Sequence, residues 1–271
     1  SGKFGGNNVG LLNMQTRGAR NERTGQTLAP GNNFSVVRVQ REIGRSNVGA
    51  MFVNRQGVGD LATGDDHNRA YGLDAAWQAT TNGKVFAFIA RTDSPVSRGG
   101  SDYAGRVYYS YANSSGTGAV GYAQVGERFN PEVGFLPRRA FRQIETRYNL
   151  TYQPKRWPWI RRFSPHTNFT AYTGLDNRLE SSRGHWHFFD VQHRSGARFG
   201  YLFETQQDRP RRPFTIYRDV VGRSVVVPAG ESAWPMGMFE GNTVPSAPIN
   251  ASLRQRVGQF YNGSQVGWQL T

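Results

Sequence analysis

Residues 127–154, ERFNPEVGFLPRRAFRQIETRYNLTYQP, decide the fold. The second half of this stretch alternates with period two. Ile144, Thr146, Tyr148, Leu150 and Tyr152 share one face, and Gln143, Glu145, Arg147, Asn149 and Thr151 share the other. Successive side chains of a strand point to opposite sides of a sheet, so one side here is apolar and the other strongly polar. A tilted strand crosses a bilayer in roughly 9–11 residues, about the length of this segment. Tyr148 and Tyr152 lie toward its C-terminal end, where a membrane barrel carries an aromatic girdle. A half-buried strand of a soluble sandwich would look the same in isolation, so the neighbouring strands and their connections must decide.

Working outward, the same alternation recurs over residues 10–16, 33–43, 48–55, 71–80, 84–92, 106–111, 117–125, 169–176, a strand through Val191, and 197–206. Short turns are read at 44–47, at Thr81-Asn82-Gly83, at 113–116 and at Arg194-Ser195-Gly196. Asn-Gly tolerates the positive φ of a tight hairpin. Long polar loops are read at 17–32, 56–68, 93–102, 127–139 and near 178–184. Residues 154–165 (PKRWPWIRRFSP) form a connection of intermediate length with two tryptophans. Alternating long and short connections describe an up-and-down meander whose two ends differ, as in outer-membrane barrels. Greek-key sandwiches have no reason to alternate so regularly. A lipocalin-like barrel needs only about eight strands. Residues 208–264 are less regular, with prolines that suit central strands poorly, and are expected to form mouth or lumen segments.

Composition agrees with an all-β chain. Among 271 residues there are 33 Gly, 17 Phe and 12 Tyr, and the longest apolar run, 85–90, is far too short for a membrane-spanning helix. Cysteine is absent, which excludes disulfides, thiolate nucleophiles and cysteine-ligated metals. The opening residues, SGKFGGNNVGLLNM, lack a basic region followed by an apolar one, so an exported form is expected to be a mature piece or fragment. Net charge is +14, and only Lys3, Lys84 and Lys155 are lysine, so arginine supplies the rest of the 33 basic residues. These arginines are scattered along the chain, which argues against a nucleic-acid partner and leaves lipid phosphate as the anion to consider.

Three segments carry a family resemblance: GKFGGNNVGLLNMQT (2–16), NFSVVRVQREIGRSNVGAMFVNRQ (33–56) and FNPEVGFLPRRAF (129–141). They resemble the uncharacterised barrel-like domain that commonly follows a family-nine-type carbohydrate-binding module in secreted bacterial proteins. The resemblance spans most of residues 1–207, with FNPEVGFLPR its most specific part. It implies a bacterial outer-membrane setting and carries no catalytic residue. Carbohydrate binding would come from a module outside this chain.

The chemistry-bearing residues fall into separate groups along the chain. His185 and His187 in GHWHFF lie two apart on one strand face, with His193 on that face by parity. A metal site needs a third ligand and outer partners, which the sequence does not supply, so no metal and no cofactor are expected. Asp65, Asp66 and His67 lack the alternate ligands of a calcium loop and are expected at an exposed loop tip. Glu132, Glu145, Glu180 and Glu204 are the carboxylates available for glycoside hydrolysis, without a pairing that singles two out. No G-x-S-x-G elbow or P-loop is present, so no enzyme is indicated. Arg138, Arg139 and Arg142, and Arg156, Arg161 and Arg162 around Trp157 and Trp159, are the candidate contacts to lipid or lipopolysaccharide phosphate.

These observations predict an all-β, antiparallel up-and-down meander of the outer-membrane barrel type, residues 1–271 being one incompletely closed domain of a longer protein. Leu73, Ala75, Trp77, Val107, Tyr109, Ile144, Tyr148, Leu150, Phe199, Tyr201 and Phe203 are expected to face lipid, and Arg38, Gln40, Arg106, Gln143, Glu145, Arg147 and Glu204 the interior. The competing reading is a soluble carbohydrate-active or carbohydrate-binding β protein, which would show an aromatic cleft with two carboxylates.

Overall fold

The computed structural model describes residues 1–95 and 101–271. Among them there is no α-helix, and no helix is long and apolar enough to cross a membrane. The chain runs through β1 (Gly2–Phe4), β2 (Asn7–Gln15), β3 (Ala19–Arg20), β4 (Thr27–Ala29), β5 (Gly31–Ile43), β6 (Ser46–Val58), β7 (His67–Gln78), β8 (Gly83–Asp93), β9 (Tyr103–Asn113) and β10 (Gly116–Val125). It continues through β11 (Phe141–Leu150), β12 (Ile160–Phe163), β13 (His166–Gly174), β14 (Leu179–His193), β15 (Arg198–Asp208), β16 (Phe214–Arg218), β17 (Ser224–Val227), β18 (Ser232–Asn242), β19 (Ser252–Phe260) and β20 (Gly263–Leu270).

One 16-stranded sheet takes the order β1-β2-β5-β6-β7-β8-β9-β10-β11-β13-β14-β15-β18-β19-β20, with β12 added onto β14. The chain is therefore an antiparallel meander. Hairpins β3–β4 and β16–β17 form separate two-stranded sheets inside long connections. The order begins at β1 and ends at β20, and no pairing joins these two among the described residues. By contacts the chain divides into two units, residues 1–109 with 122–142, and residues 110–121 with 143–271.

In the first unit, β5 and β6 pair along their whole lengths, from Gly31↔Val58 to Ile43↔Ser46. Gly44 turns the hairpin at φ 60°, a conformation that costs glycine nothing. Side-chain alternation then separates two environments. Leu73 and Trp77 are 61% and 59% exposed on β7, whereas Asp74 on the opposite face is half-buried and bonded to Arg38 of β5. The FNPE segment docks by hydrogen bonds rather than by apolar packing alone. Phe129 is buried, Asn130 N donates to Thr92 Oγ1 (3.0 Å), Asn68 Nδ2 donates to Asn130 O (2.8 Å), and Glu132 N donates to Asn68 Oδ1 (3.2 Å). Asn68 and Thr92 are buried polar residues, and these bonds offset the cost of burying them.

In the second unit, Ile144, Tyr148 and Leu150 on β11 are exposed, as are Tyr201 and Phe203 on β15, while Glu204 is only 3% exposed. Several expectations are corrected here. Of the run 178–184, residues 179–184 are strand, not loop, because a tight turn precedes them. Asn177 adopts φ 64° and Arg178 N donates to Asp176 Oδ1. The run then pairs on both sides, Arg183 with Thr170 and with Gln206. The alternation of long and short connections therefore lapses at β13–β14. Residues 232–242 and 252–260 also join the main sheet as β18 and β19. Pro235 is accommodated because the β19 ladder starts one residue later, at Met236↔Gly258. Of the expected loop 93–102, residues 96–100 lie outside the described residues.

Candidate functional site

Antiparallel partners directly opposite one another project from the same face. On β13 and β14 the pairs are His166↔His187 and Asn168↔His185, and on β14 and β15 the pair is His185↔Glu204. The meander thus collects three histidines, an amide and a carboxylate on one polar face of the second unit. The residue sequence reasoning missed is His166. Its signal was a register count across the Asp176–Arg178 turn, which needs both that turn and the one-residue shift between Tyr172 and Thr173 to be recognised first.

His193 does not join the cluster. Between Trp186↔Phe203 and Phe189↔Tyr201, His187 and Phe188 stand opposite Leu202 alone, so β14 carries a bulge. One inserted residue reverses the facing of everything beyond it. Asp190 enters the polar face and His193 leaves it, bonding Ser195 instead (2.7 Å).

The three rings are close. Centroids lie 5.3 Å apart for His166–His185, 4.6 Å for His166–His187 and 6.0 Å for His185–His187. His185 Nε2 is 3.3 Å from His166 Nε2. The Nδ1 atoms of these two rings are engaged. His166 Nδ1 lies 3.1 Å from the Ser164 carbonyl oxygen and 3.8 Å from Asp190 Oδ2, and His185 Nδ1 lies 3.3 Å from Glu204 Oε1. Arg183 donates to Glu204 (2.8 Å), and Arg198 grips Asp190 with two bonds of 2.7 Å. His187 is 2% exposed, and its Nε2 and the Asn168 Oδ1 are buried without hydrogen-bond partners. A Cβ on Gly200 would stand 2.4 Å from His187 Nε2, so glycine makes room for this ring against β15. A cavity of about 510 Å³ opens on the histidines and on Met236 and Met238.

The other expected residues fall elsewhere. Asp66 is not a free loop tip. It accepts from Arg55 Nη1 (2.7 Å), whose Nε donates to Glu132 (2.6 Å) and whose Nη1 also reaches Asn32 (2.9 Å). Glu180 accepts from Arg211. Arg138 and Arg139 lie in the segment before β11, Arg139 donating to Asn130, and Arg142 on β11 donates to Gln124 (3.0 Å). Arg156, Arg161 and Arg162 are exposed on and before β12, with Trp157 and Trp159 also exposed. The first trio belongs to one unit and the second to the other. No family profile, curated protein or solved structure matches this chain.

Proposed function

We propose that this chain is a non-enzymatic outer-membrane β-barrel domain, a scaffold or pore whose carbohydrate-binding module lies outside these residues. The observation that carries the reading is the inverted sidedness of the strands. Leu73, Trp77, Val107, Ile144, Tyr148, Leu150, Tyr201 and Phe203 are exposed, while the intervening polar face holds half-buried ion pairs such as Arg38–Asp74 and the buried carboxylate of Glu204. A soluble domain buries its apolar side and wets its polar side, so this arrangement suits strands that meet lipid. The resemblance of residues 2–16, 33–56 and 129–141 to the barrel-like domain supports the same bacterial outer-membrane location. Exposed Arg156, Arg161 and Arg162 beside exposed Trp157 and Trp159 suit contacts to lipid and lipopolysaccharide phosphates.

Fractionation with and without detergent tests the proposal. The folded chain should be recovered only with detergent or bilayer, and quantitative recovery as a folded soluble protein contradicts it. Ile144→Arg places a charge on the exposed apolar face inside β11, away from the girdle end, and should cost about 2–4 kcal/mol in a bilayer.

A further inference from the structure

We propose that His166, His185 and His187 bind one divalent transition-metal ion of the class that prefers imidazole, with Zn²⁺ as the probe. The inference does not depend on the membrane reading.

The first argument is about protons. A carbonyl oxygen only accepts, so His166 Nδ1, 3.1 Å from the Ser164 oxygen, must carry the proton. The ionised Glu204 also only accepts, so His185 Nδ1 donates to it. A neutral imidazole has one proton. Both Nε2 atoms therefore present bare lone pairs to each other at 3.3 Å. That arrangement repels unless a cation lies between them. The cation is a metal ion or an extra proton.

The spacing and surroundings favour the metal. Two Zn–N bonds of about 2.05 Å at a tetrahedral angle put the nitrogens roughly 3.3 Å apart. One nitrogen from each of the three rings lies within 4.8 Å of the others, so rotation of one ring brings the third donor to the same ion. His187 Nε2 is a buried donor or acceptor with nothing to bond, which a shared proton between the other two rings leaves unexplained. Carbonyl and carboxylate partners behind ligating imidazoles are the usual outer support of such ions. Glu204 and Asp190 are held by Arg183 and Arg198, so they orient the rings rather than ligate. Three neutral nitrogens suit Zn²⁺, Ni²⁺ or Cu²⁺ and not Mg²⁺ or Ca²⁺, which demand oxygen. The adjoining cavity leaves a fourth position open to an exchangeable ligand.

The test is metal titration of the full folded chain after chelator treatment, in detergent if fractionation requires it. Zn²⁺ should bind with one-to-one stoichiometry, and Mg²⁺ and Ca²⁺ should not compete. His166→Ala and His185→Ala should each weaken binding at least about 10-fold, and Glu204→Gln about 10-fold through lost ring orientation. His193→Ala should leave affinity unchanged. If a histidine variant loses its strand circular dichroism, Cu²⁺ electron paramagnetic resonance on the unaltered chain decides, since imidazole ligation splits the signal by nitrogen coupling. Absence of saturable one-to-one binding, meaning that the rings share only a proton, overturns the proposal. Undiminished binding in folded His166→Ala/His185→Ala, or a copper spectrum without nitrogen coupling, overturns it as well.

Discussion

Two polar clusters, one in each unit, differ in how their hydrogen-bonding capacity is used. Around Arg55, the guanidinium meets Glu132, Asp66 and Asn32, and nearby Asn68 and Thr92 secure the FNPE segment. Around His185, two lone pairs oppose each other and buried atoms of His187 and Asn168 have no partner. The first draws its carboxylates, Asp66 and Glu132, from connections beside the strands, whereas the three histidines and Glu204 of the second all sit on strands. The first is complete by itself and reads as a fastening. The second is incomplete by itself and reads as a receptor, since buried polar groups left unbonded cost free energy.

The largest expected effect separates these roles. Arg55→Ala leaves two part-buried carboxylates without their cation and should destabilise the chain by about 3 kcal/mol in urea unfolding. His187→Leu replaces an unbonded buried ring with an apolar side chain. It should change the stability of the metal-free chain by less than about 1 kcal/mol, while abolishing tight Zn²⁺ binding. Equal losses in the two variants would dissolve the distinction.

Glycines sharpen it further. A Cβ on Gly49 would meet the end of the Arg38 side chain at 2.5 Å, a flexible group able to swing aside. On Gly200 it would meet His187 Nε2 at 2.4 Å and the Phe189 carbonyl at 2.9 Å, and the latter is backbone. Gly200→Ala should therefore cost more than Gly49→Ala, about 2 against 1 kcal/mol, measured by the same unfolding.

The smallest effect concerns a satisfied pair in the second unit, between Tyr261 in the β19–β20 turn and Asp208 at the end of β15. Burial pushes the Tyr261 phenol up to about 12, helped by its bond to Asp208. The unfolded phenol ionises near 10. The neutral form is thus favoured in the fold. Its contribution is full below about pH 10 and is lost as pH rises toward 12. Tyr261→Phe should flatten stability over that alkaline window, and an unchanged slope would show that the pair is not formed.

Much of this architecture was legible because it is local. Period-two patterning and Asn-Gly or Gly turns mark β5 to β8 with boundaries within a few residues of those observed. What was not legible is set by cross-strand counts. The β14 bulge exists only relative to Phe203 and Tyr201 on β15, so a single strand read by parity puts His193 beside His187. The polar residues 178–184 looked like a loop because their neighbours on β13 and β15, which satisfy the backbone, are distant in sequence. His166 stayed hidden for the same reason. The arginine trios were visible as composition, and nothing in a linear pattern says which arginines are tied down, as Arg139 and Arg142 are.

The central claim is that the exposed apolar faces meet lipid. It is tested most directly by quenching with bromine-labelled lipid in bilayers reconstituted with the folded chain, using two variants that each keep one tryptophan. Trp77 is 59% exposed on β7, and Trp234 is 5% exposed on β18 among the polar-face residues of the second unit. Trp77 should be strongly quenched and Trp234 little affected. A folded chain in which Trp77 is untouched by the labelled lipid would contradict it.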